Sequence, residues 1–177
     1  MILFQYLIPE IIIISSACLI LVLDLFLKKD YKIISYYLIQ AALVISIITI
    51  FKKFDYFIGL EPLLYNTQIF STVFKIFLLI GMVAIFHYSY NFLKYFKLYK
   101  TEYFIICLFA VTGMMIMSSA QDLLILYLGI ELLSLSLYTL IGFNKKSIFS
   151  SEAAVKYYVL GAISSGFLLF GISLIYG

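Results

Sequence analysis

A single glutamate, Glu131, lies in the middle of an apolar stretch that runs from Leu123 to Phe143. A carboxylate at that depth of a bilayer costs roughly 2.5–3.5 kcal/mol even on lenient insertion scales. A membrane helix therefore keeps such a group only where it faces protein, water or a cation. The nearest cation in sequence that could be buried is Lys156, early in the next apolar stretch. An acid and a base held in hydrocarbon suggest a protein that moves protons or ions.

Two hydroxyl groups share the helical face of Glu131. Ser134 and Tyr138 follow it at i+3 and i+7, with Leu135 between them at i+4. These hydroxyls and ordered water could form a short proton wire. The alternative is a structural carboxylate that is hydrogen-bonded across helices to fix their packing. The cost of a central ionisable group in lipid favours the functional interpretation.

Two lysines inside apolar stretches each have two interpretations. Lys156 could snorkel to the membrane surface, or it could have a buried role, and Glu152 four residues earlier offers it a favourable pair. Lys75, about one turn into the third apolar stretch, could likewise snorkel or take part in function. We expect Glu131 and Lys156 to form a proton relay, and Lys75 is a weaker candidate for it.

Two of the other acidic residues are explained by helix ends, whereas Asp24, about a turn from the basic end of the first stretch, is less easily explained. Glu10 follows Pro9 at the start of the first apolar stretch, where a carboxylate complements the helix dipole. Asp122 precedes the stretch that holds Glu131, in the position of a helix N-cap. Both residues are therefore predicted to be structural.

The composition indicates an all-α transmembrane helix bundle. Of the 177 residues, 65% are hydrophobic and 12% are charged, against about 25% charged in a soluble domain. The apolar blocks are near the length of ~20 residues that spans a bilayer, and they lack the alternation of a membrane barrel. We predict one transmembrane domain over residues 1–177, and a soluble helical bundle is disfavoured. The six predicted spans are Ile8–Leu27, Ile33–Phe51, Phe70–Leu93, Tyr103–Ser118, Leu123–Phe143 and Ala153–Tyr176.

The lysines between the spans are distributed unequally over the two membrane sides. Only Lys52 and Lys53 fall in the even-numbered connections, and the odd-numbered connections hold Lys28, Lys29, Lys32, Lys94, Lys97, Lys100, Lys145 and Lys146. By the positive-inside rule the odd connections face the cytoplasm or, in an organelle, the matrix. Both termini are then predicted on the outer side.

The sequence offers no ligand set for a cofactor or a metal ion. Cys18 and Cys107 lack metal-ligand spacing and are predicted to be buried packing residues, and His87 has no companion. Phosphate loops, dinucleotide fingerprints and ligands for haem or iron–sulfur clusters are missing as well, which argues against redox chemistry within the chain. We expect no nucleic-acid partner. In the last span, Ala162 and Gly166 lie four residues apart and predict a close helix contact.

Two segments resemble a known family closely. They are Leu126–Tyr138, which contains Glu131, and Ser151–Tyr158, which contains Lys156, and they resemble subunit 2 of respiratory complex I, the bacterial N subunit. The resemblance covers essentially the whole chain in register, although the remaining segments are less specific. Those segments are Ile8–Glu10, Leu23–Phe26, Glu102–Phe104, Gly113–Met115 and Ser119–Leu123.

The resemblance implies a proton-translocating, antiporter-like subunit of the membrane arm of NADH:ubiquinone oxidoreductase. Glu131 matches a glutamate on helix five that pairs in the family with a lysine on a broken helix seven, and Lys156 matches a recurring lysine on helix six. The chain itself would carry no cofactor, since NADH, FMN, iron–sulfur clusters and ubiquinone bind in other subunits. The implied location is the mitochondrial inner membrane, or the plasma membrane if the source is bacterial.

Members of this family have many more helices than the six predicted here, including the one with the helix-seven lysine. We therefore expect a separate chain to supply the remaining helices, next to other membrane-arm subunits and membrane lipid, and a truncated product is the alternative. Two rival interpretations stay open. One is a subunit of a multisubunit cation/proton antiporter, and the other is a fragment that only scaffolds the membrane arm.

Overall fold

The structure, a computed structural model, describes residues 7–26, 32–57, 62–96 and 99–176, with the backbone alone at 32, 53–57 and 62–68. The described part is built of helices, which confirms the predicted fold class. The helices are α1 (Ile8–Phe26), α2 (Lys32–Phe57), α3 (Pro62–Tyr95), α4 (Thr101–Ser119), α5 (Leu123–Ile141) and α6 (Ile148–Tyr176). Each is long and apolar enough to cross a membrane.

Several helices extend beyond the predicted spans. Helix α2 continues to Phe57 and α3 begins at Pro62, so most of the predicted connection Lys52–Ile69 is helical. Proline suits this first helical position, because its missing N–H would have no partner there. The predicted limits follow hydrophobicity, whereas the helices continue into the polar membrane boundary.

At the start of each of the last two helices, a side-chain oxygen accepts a hydrogen bond from a backbone amide. Asp122 caps α5 by accepting a hydrogen bond from the Leu124 amide at 3.2 Å, which confirms the predicted N-cap. Helix α6 begins five residues before the predicted span, and there Ser147 accepts a hydrogen bond from the Ser150 amide at 3.3 Å.

Helix α4 lies at the centre of the molecule. It packs against α1, α2 and α3 on one side and against α5 on the other, while α6 packs only against α5 within the described part of the chain. Phe86 of α3 and Phe104 of α4 meet edge to face in the core of the α1–α4 bundle, with ring centroids 5.1 Å apart. The described residues leave the outer faces of α5 and α6 uncovered.

Two glycines allow the close crossing of α4 and α5. A Cβ atom at Gly113 would lie 2.8 Å from the backbone oxygen of Gly129 and 2.8 Å from the backbone nitrogen of Leu133. The contact predicted at Ala162 and Gly166 is wrong within the described structure, since a Cβ atom at Gly166 would meet nothing within 4 Å. The small residues that permit a close helix crossing lie on α4 and α5.

One cysteine differs from its prediction. Cys107 is buried as expected, but Cys18 is exposed on the surface of the bundle. In a membrane this surface faces lipid or another protein, so an apolar thiol loses nothing by lying there.

Candidate functional site

Glu131 has a hydrogen-bond partner on the neighbouring helix α6. The carboxylate is half-buried, and Ser165 Oγ donates to its Oε2 at 2.7 Å. The partner is a neutral hydroxyl, and no lysine in the described part of the chain forms an ion pair with Glu131. The acid predicted to face a cation therefore faces a serine of α6.

The position of Gly129 explains why Glu131 faces α6. Gly129 lies at the contact with α4, and a residue two positions later is rotated by about 200° around a helix of 3.6 residues per turn. Glu131 thus lies on the side of α5 away from α4. The close glycine contact with α4 fixes this rotation, which presents the carboxylate to α6.

The predicted hydroxyl neighbours of Glu131 have other partners. Ser134 Oγ donates to the backbone oxygen of Ile130 at 2.8 Å. The Tyr138 ring is buried and its hydroxyl lies against Gly161 on α6, where a Cβ atom would overlap it. Ser165, which contributes the observed hydrogen bond, has no sequence signal of its own, because it is one of several small residues on α6.

Lys156 pairs with Glu152 and not with Glu131. Its Nζ lies 2.5 Å from Glu152 Oε1, and the two side chains are 70% and 54% exposed. Lys156 precedes Ser165 by nine residues, which places the two about 180° apart around α6. Because Ser165 faces α5, Lys156 lies on the opposite, uncovered face.

The buried ion pair in the described structure joins Lys75 to Glu10. Lys75 Nζ on α3 lies 2.5 Å from Glu10 Oε1 on α1, and the side chains are 7% and 3% exposed. Lys75 therefore does not snorkel to the surface, and Glu10 does more than complement a helix dipole. The sequence predicts a separate role for each residue. No sequence signal joins them, because their helices are not consecutive.

The three predicted site residues and their partners thus form three separate arrangements. Glu131 with Ser165 lies between α5 and α6, Glu152 with Lys156 lies on the outer face of α6, and Glu10 with Lys75 lies between α1 and α3. In the first, a carboxylate with a neutral partner can take up and release a proton. The second presents both charges to whatever covers α6.

Part of the chain matches a known protein family. Residues 120–177 match a family model described as "NADH:quinone oxidoreductase/Mrp antiporter, TM". This range contains Glu131, Ser165 and Lys156, whereas Glu10 and Lys75 lie before it. The Glu131–Ser165 and Glu152–Lys156 arrangements therefore both lie in the part of the chain that the family model matches.

Relatives similar to this chain carry the name NADH-quinone oxidoreductase subunit N. The protein from Ruthia magnifica is 43% identical over 96% of this chain and 35% of its own length. That from Thioalkalivibrio sulfidiphilus is 43% identical over 98% of this chain and 36% of its own length. That from Thiobacillus denitrificans is 50% identical over 60% of this chain and 22% of its own length. The chain thus spans about a third of the length of the first two relatives.

Proposed function

Because this chain belongs to the family of NADH-quinone oxidoreductase subunit N and corresponds to part of a member, we propose that it translocates protons without redox chemistry of its own. It would do so as a subunit of the membrane arm of that oxidoreductase. NADH, FMN, the iron–sulfur clusters and the quinone would then be bound by other subunits.

The observation that carries this proposal is the position of Glu131. It lies eight residues into a membrane-spanning helix, and its partner is the neutral hydroxyl of Ser165. An ionised carboxylate in hydrocarbon is costly, and intramembrane ionisable groups commonly belong to ion or proton pathways. A nearby positive charge would favour the ionised form of Glu131, and withdrawal of that charge would favour proton uptake.

The positive charge that controls Glu131 would come from a residue that does not contact Glu131 in the described structure. Lys156 and Glu152 lie on the uncovered face of α6, where facing lipid would be unfavourable for both. We infer that further helices of the subunit, in the same or a separate polypeptide, cover this face. Lys156 would relay charge towards those helices, and one of them would bring a lysine to Glu131.

Coupling would follow from movement of that lysine. Quinone reduction elsewhere in the enzyme would change the distance between the lysine and Glu131, so that Glu131 gains and then loses a proton. The relatives are bacterial, which favours the bacterial plasma membrane over the mitochondrial inner membrane. The amino terminus would lie on the outer side of that membrane, as the lysine distribution favours.

The Glu131→Gln variant tests the proposal in the assembled enzyme in native membranes. Glutamine keeps the size and a hydrogen-bond acceptor but cannot ionise, so we expect proton translocation per NADH oxidised to fall. Glu102→Gln is the matched control, because Glu102 is exposed in the first turn of α4. Unchanged proton translocation in Glu131→Gln would remove this residue from the mechanism.

A second candidate is supported by the description of the matching family model, which also names the Mrp antiporter. In that case the chain would exchange cations for protons without an oxidoreductase. Purification through a tag on this chain distinguishes the two, because only the first predicts co-purification of redox subunits. In a purely scaffolding fragment, Glu131→Gln would change assembly at most.

A further inference from the structure

Glu10 and Lys75 form an ion pair across the interior of the α1–α4 bundle. Helices α1 and α3 each pack against α2 and α4, but their backbones do not approach one another within the described part of the chain. The two side chains bridge this distance, with Nζ and Oε1 separated by 2.5 Å. The pair therefore lies in the middle of the four helices, away from Glu131 on the far side of α4.

The pair is poorly explained as a device for stability. Removing two charges from water costs several kcal/mol each, and a buried pair recovers this only with further hydrogen bonds. Neither carboxylate oxygen of Glu10 has a hydrogen bond of regular geometry among the described residues, and both oxygens are inaccessible. No hydrogen bond among the described residues therefore offsets the burial of this carboxylate, and a permanently charged pair is costly here.

Two hydroxyl residues lie between the pair and the end of the bundle. Ser71 and Thr72 are buried on α3, four and three residues before Lys75, and so share its face. Glu10 lies in the first turn of α1. Since α1 and α3 cross the membrane in the same direction, these residues all lie towards the membrane side at which both helices begin.

We propose that Glu10 and Lys75 form a second proton-exchange site, in the α1–α4 bundle. A proton moves from Lys75 Nζ to Glu10 Oε1, which converts the ammonium–carboxylate pair into a neutral amine and a carboxylic acid. The reverse transfer restores the ions, and no other bond forms or breaks. The inference rests on the proposed function, because it gives the proton-translocating enzyme an additional site.

Few other charges surround this pair among the described side chains. Of the ionisable groups on α2 and α4, only the exposed Lys52 lies at the same end of the bundle. The others are near the opposite end, namely Tyr36, Tyr37, Glu102, Tyr103 and Cys107. Among the described side chains, Lys75 is therefore the charged group that contacts Glu10.

Infrared difference spectroscopy of the assembled enzyme, driven by NADH oxidation, tests proton transfer directly. We expect a band of a protonated carboxyl group that shifts in D₂O, is lost in Glu10→Gln and remains in the Glu102→Gln control. The Lys75→Met variant should abolish the same change, whereas Lys52→Met should retain it. Lack of any band that depends on Glu10 would overturn the inference.

The double variant Glu10→Gln/Lys75→Met separates proton exchange from a structural clamp. A single substitution leaves one buried charge unpaired and can prevent assembly, but the double variant removes both charges. We expect it to assemble and to translocate fewer protons per NADH than the wild type. Assembly with full proton translocation would overturn the inference.

The Glu131→Gln variant keeps this result separate from the proposed function. If Glu131→Gln lowers proton translocation and the double variant does not, only the second site is wrong. If Glu131→Gln leaves proton translocation unchanged, the proposed function of Glu131 fails, whatever the result at Glu10.

Discussion

Ser165 Oγ donates a hydrogen bond of 2.7 Å to Oε2 of Glu131, and this bond connects α6 to the acid in the middle of α5. Further along the same interface, the Tyr138 hydroxyl lies against Gly161. These two contacts set the height and rotation of α6 relative to α5. The serine is therefore placed to hold the carboxylate in one orientation in both of its protonation states, since a hydroxyl can donate or accept.

The Ser165→Ala variant should release the Glu131 carboxylate. Hydrogen bonds between membrane helices contribute about 0.6 kcal/mol on average, so we expect only a small loss of stability. The main effect should be on the orientation of the carboxylate, because Ser165 no longer holds it. We expect proton translocation per NADH oxidised to fall, as measured with a pH-sensitive dye in inverted membrane vesicles.

Ser164→Ala is the matched control for this prediction. Ser164 is exposed on the same helix, and its hydroxyl donates to the backbone oxygen of Leu160 at 3.0 Å. It should leave proton translocation unchanged. Proton translocation by Ser165→Ala equal to that of the wild type would show that the serine does not influence Glu131.

The Gly113→Ala variant should separate α4 from α5. The added methyl group would lie 2.8 Å from backbone atoms of Gly129 and Leu133, and backbone cannot move aside as a side chain can. Overpacking of this kind typically costs 1–3 kcal/mol, so we expect about that loss in the free energy of unfolding. Thermal or denaturant unfolding of the purified chain in detergent measures it.

Gly81→Ala provides the control on α3. A Cβ atom there would meet nothing within 4 Å, and alanine favours a helix over glycine by about 0.5–1 kcal/mol. We therefore expect Gly81→Ala to be neutral or stabilising. Equal effects of the two substitutions would contradict the close crossing of α4 and α5.

The helices and the acid could be predicted from the sequence, because both depend on residues close together along the chain. Runs of apolar residues define α1 to α6, and Glu131 interrupts one of them. Even the separation of Lys156 from Glu131 has a sequence basis. Once Ser165 faces α5, the spacing of nine residues turns Lys156 to the opposite face of α6.

The partners of the charged groups could not be predicted in the same way. Glu10 and Lys75 meet across a four-helix bundle, and their contact depends on which helices lie at opposite corners of that bundle. Periodicity shows which residues share a helix face, but not which helix that face meets. Ser165 was missed for the same reason, since its role depends on the rotation of α5 set by Gly129.

The Lys156→Gln variant should affect function more than stability. Its pair with Glu152 lies on the outer face of α6, so losing it leaves the packing of the described helices unchanged. If Lys156 relays charge to covering helices, proton translocation per NADH should fall while the amount of assembled enzyme stays near that of the wild type. Native gels and vesicle assays on the same membranes measure the two quantities.

Lys146→Gln is the control for this substitution, because Lys146 is exposed in the connection before α6 and has no part in the proposed relay. This control tests whether the loss of any nearby positive charge is enough to lower proton translocation. Equal proton translocation by Lys156→Gln and Lys146→Gln would exclude a specific role for Lys156.

Asp122 lies just before α5 and accepts a hydrogen bond from the Tyr176 hydroxyl. This bond, together with the bond from the Leu124 amide, lowers the pKa of Asp122 below its usual value. A lowered pKa in the folded state stabilises the fold above the unfolded pKa, and the contribution is lost as the pH falls through the folded pKa.

In Tyr176→Phe the pKa of Asp122 should rise, so that the loss begins at a higher pH. Carboxyl ¹³C chemical shifts of labelled aspartate, followed against pH in lipid nanodiscs, measure this change, and Tyr95→Phe, at an exposed tyrosine on α3, should leave it unaltered. An Asp122 titration that is the same in Tyr176→Phe and the wild type would show that Tyr176 does not hold the carboxylate.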